Sequence, residues 1–128
     1  MRCAAAAEDF MIIGEAPRRI YLYAKPVDFR KGHAGLAAIV QEMTKIDVFS
    51  GAAFIFRPKS AFAVKILVWD GSGLVLIHKK LEDRNFKWPS ISDGVMPLTP
   101  VQMAALFDGI DWRKVHTARR TKKPKIAA

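Results

Sequence analysis

The sequence predicts a small α+β domain in which a mostly antiparallel sheet of four to five strands packs with two helices. Short runs rich in β-branched and aromatic residues alternate in period two between proline and glycine breaks. A central hairpin is marked over about residues 62–81, and apolar residues recur at helical spacing over about residues 30–43 and 100–108. This order of strands and helices is typical of an antiparallel sheet covered on one face.

The first strand and the first helix are predicted near the start of the folded part. Residues 18–26 alternate aliphatic side chains with two tyrosines, which indicates a strand ended by a proline. Residues 27–43 follow with helical spacing, and Asp28 is a suitable N-cap because its carboxylate can accept hydrogen bonds from the first turn. Two glycines weaken the first half, so we expect the helix from about residue 33 onward.

The middle of the chain predicts a short strand and the hairpin. Residues 52–58 form a brief apolar run between a glycine and a proline. In the hairpin, either Gly71-Ser72 or Asp70-Gly71 can form the two-residue turn, and both choices keep the same side chains on the same faces. We expect a core face with Val64, Ile66, Val68, Val75 and Ile77, and an outward face with Lys65, Leu67, Trp69, Leu74, Leu76, His78 and Lys80.

The last third of the domain predicts a weak strand and a strongly marked helix. Residues 85–89 are a candidate fourth strand, followed by a loop of turn-forming residues up to residue 98. Thr99 then begins a helix as its N-cap, Gln102 completes a capping box, and Gly109 ends the helix. Its buried stripe is expected at Met103, Leu106, Phe107 and Ile110.

The positive charge of the chain is concentrated at its C-terminal end. The 128 residues carry a net charge of +9; residues 1–112 hold 14 basic and 12 acidic residues, whereas residues 113–128 hold seven basic residues and no acidic one. Such a run of like charges has too few apolar residues to form a core. We therefore predict a flexible extension at 1–17, one globular domain at 18–112 and a disordered basic tail at 113–128.

The reactive side chains do not form a recognisable catalytic or metal site. The three histidines and the single cysteine lack the spacing of a zinc site. Asp70, Ser72 and His78 share the hairpin, but an extended chain puts His78 about 15–20 Å from the turn, which is too far for a proton relay. No signal peptide or membrane span is evident, and the lone cysteine fits a reducing cytoplasm. We expect no enzyme activity, metal or cofactor.

Cations and aromatic side chains together suggest a nucleic-acid interface. Lysines follow phosphates, and exposed aromatic rings stack on bases with about 1–3 kcal/mol each. Two alternatives stay open: a helix covers the hairpin leucines and Trp69, leaving the lysines at the rim, and the tail serves only solubility or weak general attraction. The candidate contact residues are Arg30, Lys31, Lys65, Trp69, His78, Lys79 and Lys80 in the domain, and Arg113, Lys114, Arg119, Arg120, Lys122, Lys123 and Lys125 in the tail.

Three segments resemble one protein family. Residues 21–36, 64–89 and 98–112 are similar to the small accessory protein, often called TnpB, of bacterial insertion sequences of the IS66 type. The family usually carries an arginine-rich run before the first hairpin strand, which here is reduced to "RPKSAFAVK". Positions of the family motifs that also carry candidate contacts are Arg30, Lys65, Trp69 and Lys79 or Lys80; those expected to be structural are Pro26, Asp28, Asp70, Gly73, Leu81, Glu82, Phe86 and Pro89.

The resemblance implies a non-catalytic role in transposition beside a larger, separate transposase. The leading hypothesis is therefore a cytoplasmic accessory factor whose partners are DNA and the transposase or other proteins of the same element, with no membrane partner. The rival hypothesis is a protein-interaction module that assembles or stabilises the transposase without specific nucleic-acid contact.

Overall fold

Five strands and two α-helices make up the described part of the chain, which confirms the predicted α+β fold. The computed structural model describes residues 19–60, 62–82, 85–89 and 94–114, so most of the predicted extension and tail lies outside the described residues. In chain order the elements are β1 (Ile20–Tyr23), α1 (His33–Ile39) with a following π-helical segment (Val40–Thr44), β2 (Ala53–Phe56), β3 (Ala63–Trp69), β4 (Leu74–Lys80), β5 (Val95–Leu98), α2 (Pro100–Phe107) and a 3₁₀ helix (Trp112–Lys114).

The strands form one sheet in the order β4-β3-β2-β1-β5. β1 and β2 are parallel, and every other neighbouring pair is antiparallel, as expected for a mostly antiparallel sheet. Two parallel neighbours cannot be joined by a tight turn, because the chain must return to the same end of the sheet. The connection from β1 to β2 therefore contains α1.

Both faces of the sheet are covered, which corrects the prediction of a single covered face. Phe86 and α2 pack on one face, and Leu36 of α1 packs with the aromatic side chains of β2 on the other. All four residues of β2 are buried, which is typical of a strand enclosed on both sides. The hairpin leucines are covered as well: Leu67 is fully buried, and Leu74 and Leu76 pack half-buried against the α1 side.

The strand predicted at residues 85–89 is wrong, and the additional strand is β5. Phe86 is buried in the core, and the indole N–H of Trp112 donates to the carbonyl of Lys87, so this segment packs through side chains instead of a strand ladder. From the sequence alone, Pro97 indicates a loop at the position where the structure has β5. An edge strand tolerates a proline, because one side of its backbone has no neighbouring strand to bond.

The start of α1 corrects the predicted N-cap. The N-cap is Gly32, which has no side-chain hydrogen bond, and the helix begins at His33 as the glycine content predicts. Asp28 lies upstream and accepts the backbone N–H of Arg30 at 2.9 Å. The helical segment ends where Lys45 adopts the left-handed conformation at φ 60°. The carboxylate of Asp28 therefore shapes the loop before α1 and does not cap the helix.

The hairpin turn follows the Gly71-Ser72 alternative. Trp69 pairs with Leu74, and the N–H of Asp70 bonds to the carbonyl of Gly73. Gly71 and Ser72 are therefore the two central residues of the turn. Gly71 has a φ of 105°, a conformation that side chains rarely adopt. The glycine is therefore required by the backbone of this turn.

The capping of α2 agrees with the sequence, and one predicted core position does not. Thr99 and Gln102 form both hydrogen bonds of the capping box, and Met103 is buried in the core. Ile110, expected in the buried stripe, is 52% exposed. The chain reverses at Gly109, where φ is 76°, so Ile110 no longer follows the helix face.

Candidate nucleic-acid interface

Lys65 lies inside the structure, so the surface position predicted for it is wrong. The residue is 6% exposed, and its Nζ donates to the carbonyl oxygens of Phe29 at 2.7 Å and Lys31 at 3.0 Å. The same ammonium group lies 5.1 Å from the centre of the Phe29 ring. No carboxylate of the described residues forms an ion pair with it. Lys65 therefore fixes the loop before α1 to the sheet and is not free to contact a ligand.

The loop that Lys65 fixes carries Arg30 and Lys31 on its outer side. The Arg30 side chain is 91% exposed, and Lys31 is exposed as well. Arg30 donates from Nε and Nη2 to the Asp28 carboxylate, at distances of 2.6–3.1 Å. These hydrogen bonds from Arg30 lower the pKa of Asp28 to about 2, so both groups are charged at neutral pH. Asp28 thus orients Arg30 while offsetting part of its charge.

Strand β4 places His78 and Lys80 beside this loop. His78 is the strand partner of Lys65, and its ring meets the Phe29 ring edge-on at 5.6 Å. Partial burial lowers the pKa of His78, and the charge of Lys65 lowers it further, so the imidazole is mainly neutral at pH 7. Lys80 is exposed and is the next side chain on the same face.

The side chain of Lys79 points to the opposite face of the sheet, where α2 lies. Its Nζ donates to the Phe107 carbonyl at 2.7 Å, at the C-terminal end of α2, and lies 3.8 Å from the Asp108 carboxylate. The ammonium also lies 4.1 Å from the centre of the Phe107 ring. Cations stabilise a helix C-terminus by bonding its last carbonyls and opposing its dipole. Lys79 therefore holds α2 against the sheet.

Trp69 lies at the turn end of the hairpin, away from the loop that Lys65 holds. Its ring packs edge-on against Phe49 at a centroid distance of 5.2 Å, and the residue is half-buried. Phe49 itself is 50% exposed. The two rings form an apolar surface pair, so Trp69 already has an aromatic partner within the chain.

The basic tail is described only at its start. Arg113 and Lys114 end the 3₁₀ helix, and Arg113 donates from Nε to the Asp111 carboxylate at 2.8 Å. The predicted contact residues Arg119, Arg120, Lys122, Lys123 and Lys125 lie outside the described residues. Their part in binding nucleic acid stays a prediction.

The residues expected to be structural occupy turns, core positions and the surface. Asp70 accepts the backbone N–H groups of Ser72 and Gly73, each at 2.9 Å; the bond from Ser72 lowers its pKa most, followed by the bond from Gly73. This carboxylate is thus a turn-forming group. Of the other positions, Phe86 and Pro89 are buried, Leu81 and Pro26 are half-buried, and Glu82 is exposed.

Arg57 was not predicted from the sequence as a partner of Trp88. The Arg57 guanidinium lies 5.6 Å from the centre of the Trp88 ring. Arg57 Nε and Trp88 Nε1 are both buried without an acceptor among the described residues. Arg57 continues the alternation of β2 onto the α2 face, and this was the signal available in the sequence. The contact joins the end of β2 to the segment that carries Phe86.

Arg30, Lys31 and Lys80, together with the neutral imidazole of His78, remain as one cationic surface, which we call the pinned-loop surface. The contacts of Phe29 and Lys65 bring the loop and β4 together beneath it. A groove of about 420 Å³ lies next to it, lined in part by Val27, Asp28 and Lys59. In the part of the chain that the structure describes, no three His, Cys, Asp or Glu side chains are grouped to hold a metal ion, and no helix is long and apolar enough to cross a membrane. The pinned-loop surface has the chemistry to bind anionic groups.

These features define a small α+β protein with a structurally supported cationic surface. The sequence model of the family described as IS66 Orf2 like protein matches residues 18–117, and the chain belongs to this family. The resemblance to accessory proteins of IS66 insertion sequences is thereby confirmed, and the family associates the chain with transposition.

Two curated relatives match over most of their length. The chain is 36% identical over 109 residues to the uncharacterized protein y4jC of Sinorhizobium fredii, covering 85% of this chain and 93% of the relative. It is 35% identical over 105 residues to the uncharacterized protein y4hO of the same organism, covering 82% of this chain and 91% of the relative. No solved structure matches the chain.

Proposed function

We propose that the chain is a non-catalytic accessory factor that contacts DNA during transposition of its insertion sequence, next to a separate transposase in the bacterial cytoplasm. The pinned-loop surface binds backbone phosphates, and the basic tail strengthens the attachment. The observation that carries the proposal is the pair of hydrogen bonds from Lys65 to the carbonyls of Phe29 and Lys31, because it holds exposed cations in place.

The buried ammonium of Lys65 also contributes electrostatically. A unit positive charge about 8 Å below a phosphate attracts it by about 2 kcal/mol at an effective dielectric constant of about 20, before salt screening. No described carboxylate pairs with Lys65 to cancel this charge. The loop is already ordered before binding, so little conformational entropy is lost when a phosphate arrives. Both effects favour DNA backbone binding without base recognition.

A salt series on duplex DNA tests the proposal. We expect the whole chain to show a log–log salt slope of about −4 to −6, because each neutralised phosphate contributes about −0.9. The double variant Lys31→Gln/Lys80→Gln should reduce this slope by about 2 units. The matched control Lys45→Gln/Lys87→Gln removes two exposed lysines outside the surface and should leave the slope unchanged. Equal slopes for the two double variants would show that the pinned-loop surface makes no phosphate contact.

The contribution of the tail is measured separately. Replacing Arg119, Arg120, Lys122, Lys123 and Lys125 by glutamine should remove most of the remaining slope, because phosphate neutralisation dominates non-specific binding. If this variant binds duplex DNA at moderate salt as tightly as the unchanged chain, the tail has no role in attachment. Comparing element-end DNA with random duplex in the same series then separates specific from general binding.

A second candidate function is assembly or stabilisation of the transposase by protein contact. It is favoured by the exposed edge of Phe49 over Trp69, an apolar pair on the surface. Phe49→Ser should weaken nuclease-resistant co-purification with the transposase. Val101→Ser is the control, because Val101 is 52% exposed on α2. Equal recovery of the transposase with both variants would argue against this candidate.

A further inference from the structure

Strand β4 has a free outer edge within the described part of the chain. It is the terminal strand of the sheet, next to β3 alone. At the two ends of the β3–β4 ladder, the N–H of Asp70 bonds to the Gly73 carbonyl and the N–H of Leu81 bonds to the Phe62 carbonyl. Hydrogen-bonded pairs alternate with non-bonded pairs along an antiparallel ladder. The backbone N–H and C=O groups that point away from the sheet are therefore those of Leu74, Leu76, His78 and Lys80.

The two edges of the sheet differ in how well they are protected. The opposite edge strand, β5, has four residues and contains Pro97, which removes a donor and discourages an added strand. β4 has seven residues, no proline, and a register with β3 that is unbroken from Leu74 to Lys80. An edge of this length and regularity is a template for another strand.

The side chains along this edge indicate what kind of strand fits. Leu74 and Leu76, half-buried, occupy its first half, whereas His78 and Lys80 occupy its second half beside the loop that carries Lys31. Antiparallel pairing of two β4 strands over their full length would place Lys80 opposite Leu74 and His78 opposite Leu76 of the second copy, so neither the lysine nor the leucines would gain a complementary partner. We propose that β4 accepts an acidic, extended segment of another protein as a sixth strand of the sheet. Carboxylates then lie opposite the Lys80 ammonium and the His78 imidazole, and β-branched apolar residues lie opposite the leucines.

This inference rests on the strand edge and does not require DNA binding, so we test it without nucleic acid. The probe is a capped peptide, Glu-Thr-Glu-Thr-Val-Thr-Val, whose antiparallel alignment places its glutamates opposite Lys80 and His78. The control peptide replaces both glutamates by lysine. Added to the full chain labelled with ¹⁵N, the acidic peptide should shift and protect the amides of Leu74, Leu76, His78 and Lys80, and should bind about tenfold more tightly than the lysine peptide.

Two variants separate backbone pairing from simple charge attraction. His78→Pro removes one outward N–H and should weaken the acidic peptide about tenfold, whereas His78→Ala keeps that N–H and should change it by less than about threefold. Protected amides at Val75 and Ile77 confirm that the β3–β4 ladder is intact. Lys80→Glu, which leaves the backbone unchanged, should reverse the preference between the two peptides.

Any one of four results would overturn the inference. Equal affinity for both peptides would remove its electrostatic basis, and amide shifts confined to residues outside β4 would place binding elsewhere. Protection of the edge amides in the free chain, or sedimentation as a dimer that His78→Pro dissociates, would show that the edge is already occupied by this chain or by a second copy.

Discussion

Replacing Lys65 by methionine tests the role of its buried ammonium group. Methionine retains an unbranched side chain of similar volume, so the packing of the stem within the core is largely preserved. The change removes only the charge and the donors that reach the carbonyls of Phe29 and Lys31. Those two carbonyls then lose their partner at a position that is 6% exposed.

The expected loss of stability follows from two opposing effects. A hydrogen bond to a charged group contributes about 1.5–3 kcal/mol, so two such bonds would contribute about 3–6 kcal/mol. Removing the ammonium also removes its desolvation cost, which amounts to several kcal/mol for a buried ion. We therefore expect Lys65→Met to lower the free energy of unfolding by about 1–3 kcal/mol, with the low end reached if the loop opens and water bonds its carbonyls.

Urea unfolding and amide hydrogen exchange measure this effect. Lys65→Met should unfold at lower urea, and the amides of the loop at residues 29–31 should exchange faster. Lys80→Met is the matched control: it lies on the same face of the hairpin, on the neighbouring strand β4, but is exposed, so it should change stability by less than about 0.5 kcal/mol. If Lys65→Met is as stable as Lys80→Met and the loop exchanges no faster, Lys65 does not hold this loop.

Three further perturbations test the loop, the turn and the cap. The pKa of Asp28 should be about 2 in an NMR titration, so the contribution of its pair with Arg30 is fully present above the ordinary pKa of 3.8 and is lost as the pH falls toward 2; Arg30→Gln should raise the midpoint, and an unchanged midpoint would contradict the pairing. Gly71→Ala should cost about 1–3 kcal/mol because φ is 105°, whereas Gly73→Ala, at a glycine without positive φ and with no neighbouring atom within 4 Å, should cost less than about 0.5 kcal/mol; equal losses in urea unfolding would be inconsistent with the turn. Thr99→Ala should lower stability by about 1 kcal/mol and Thr99→Ser by much less, and calorimetry showing no difference between them would exclude the cap as the cause.

Features set by short-range chemistry could be predicted from the sequence. The hairpin was evident because period-two alternation and a glycine turn act within about ten residues, and the faces of Ile66 and Leu67 follow directly from that period. The start of α2 was evident for the same reason, since the side chains of Thr99 and Gln102 each accept a hydrogen bond from the backbone N–H of the other. No distant part of the chain is needed to form either feature.

Features set by long-range packing could not be predicted. A lysine in an alternating strand is expected at the surface, yet Lys65 is buried because a loop 34 to 36 residues away in sequence covers it. Residues 85–89 have the aromatic content of a strand, but Phe86 packs into the core from outside the sheet and the segment pairs with no strand of the described sheet. β5 could not be predicted because its proline, Pro97, is compatible only with an edge strand, and only the complete sheet shows that this strand lies at an edge.

Lys65 and Lys79 both have structural roles in the hairpin, which leaves fewer of its cations available to bind a partner. Both were expected to contact nucleic acid, but Lys65 holds the α1 side and Lys79 holds the C-terminal end of α2 on the other face. His78 is the strand partner of Lys65 and shares its face, so Lys79, one residue further along β4, points to the opposite face, and one hairpin can fix both covering layers. The cations available to bind a partner are then those that do not attach a covering layer to the sheet, chiefly Lys31 and Lys80. A DNA-binding assay in which Lys79→Gln weakened binding without lowering stability would contradict this division between structural and functional lysines.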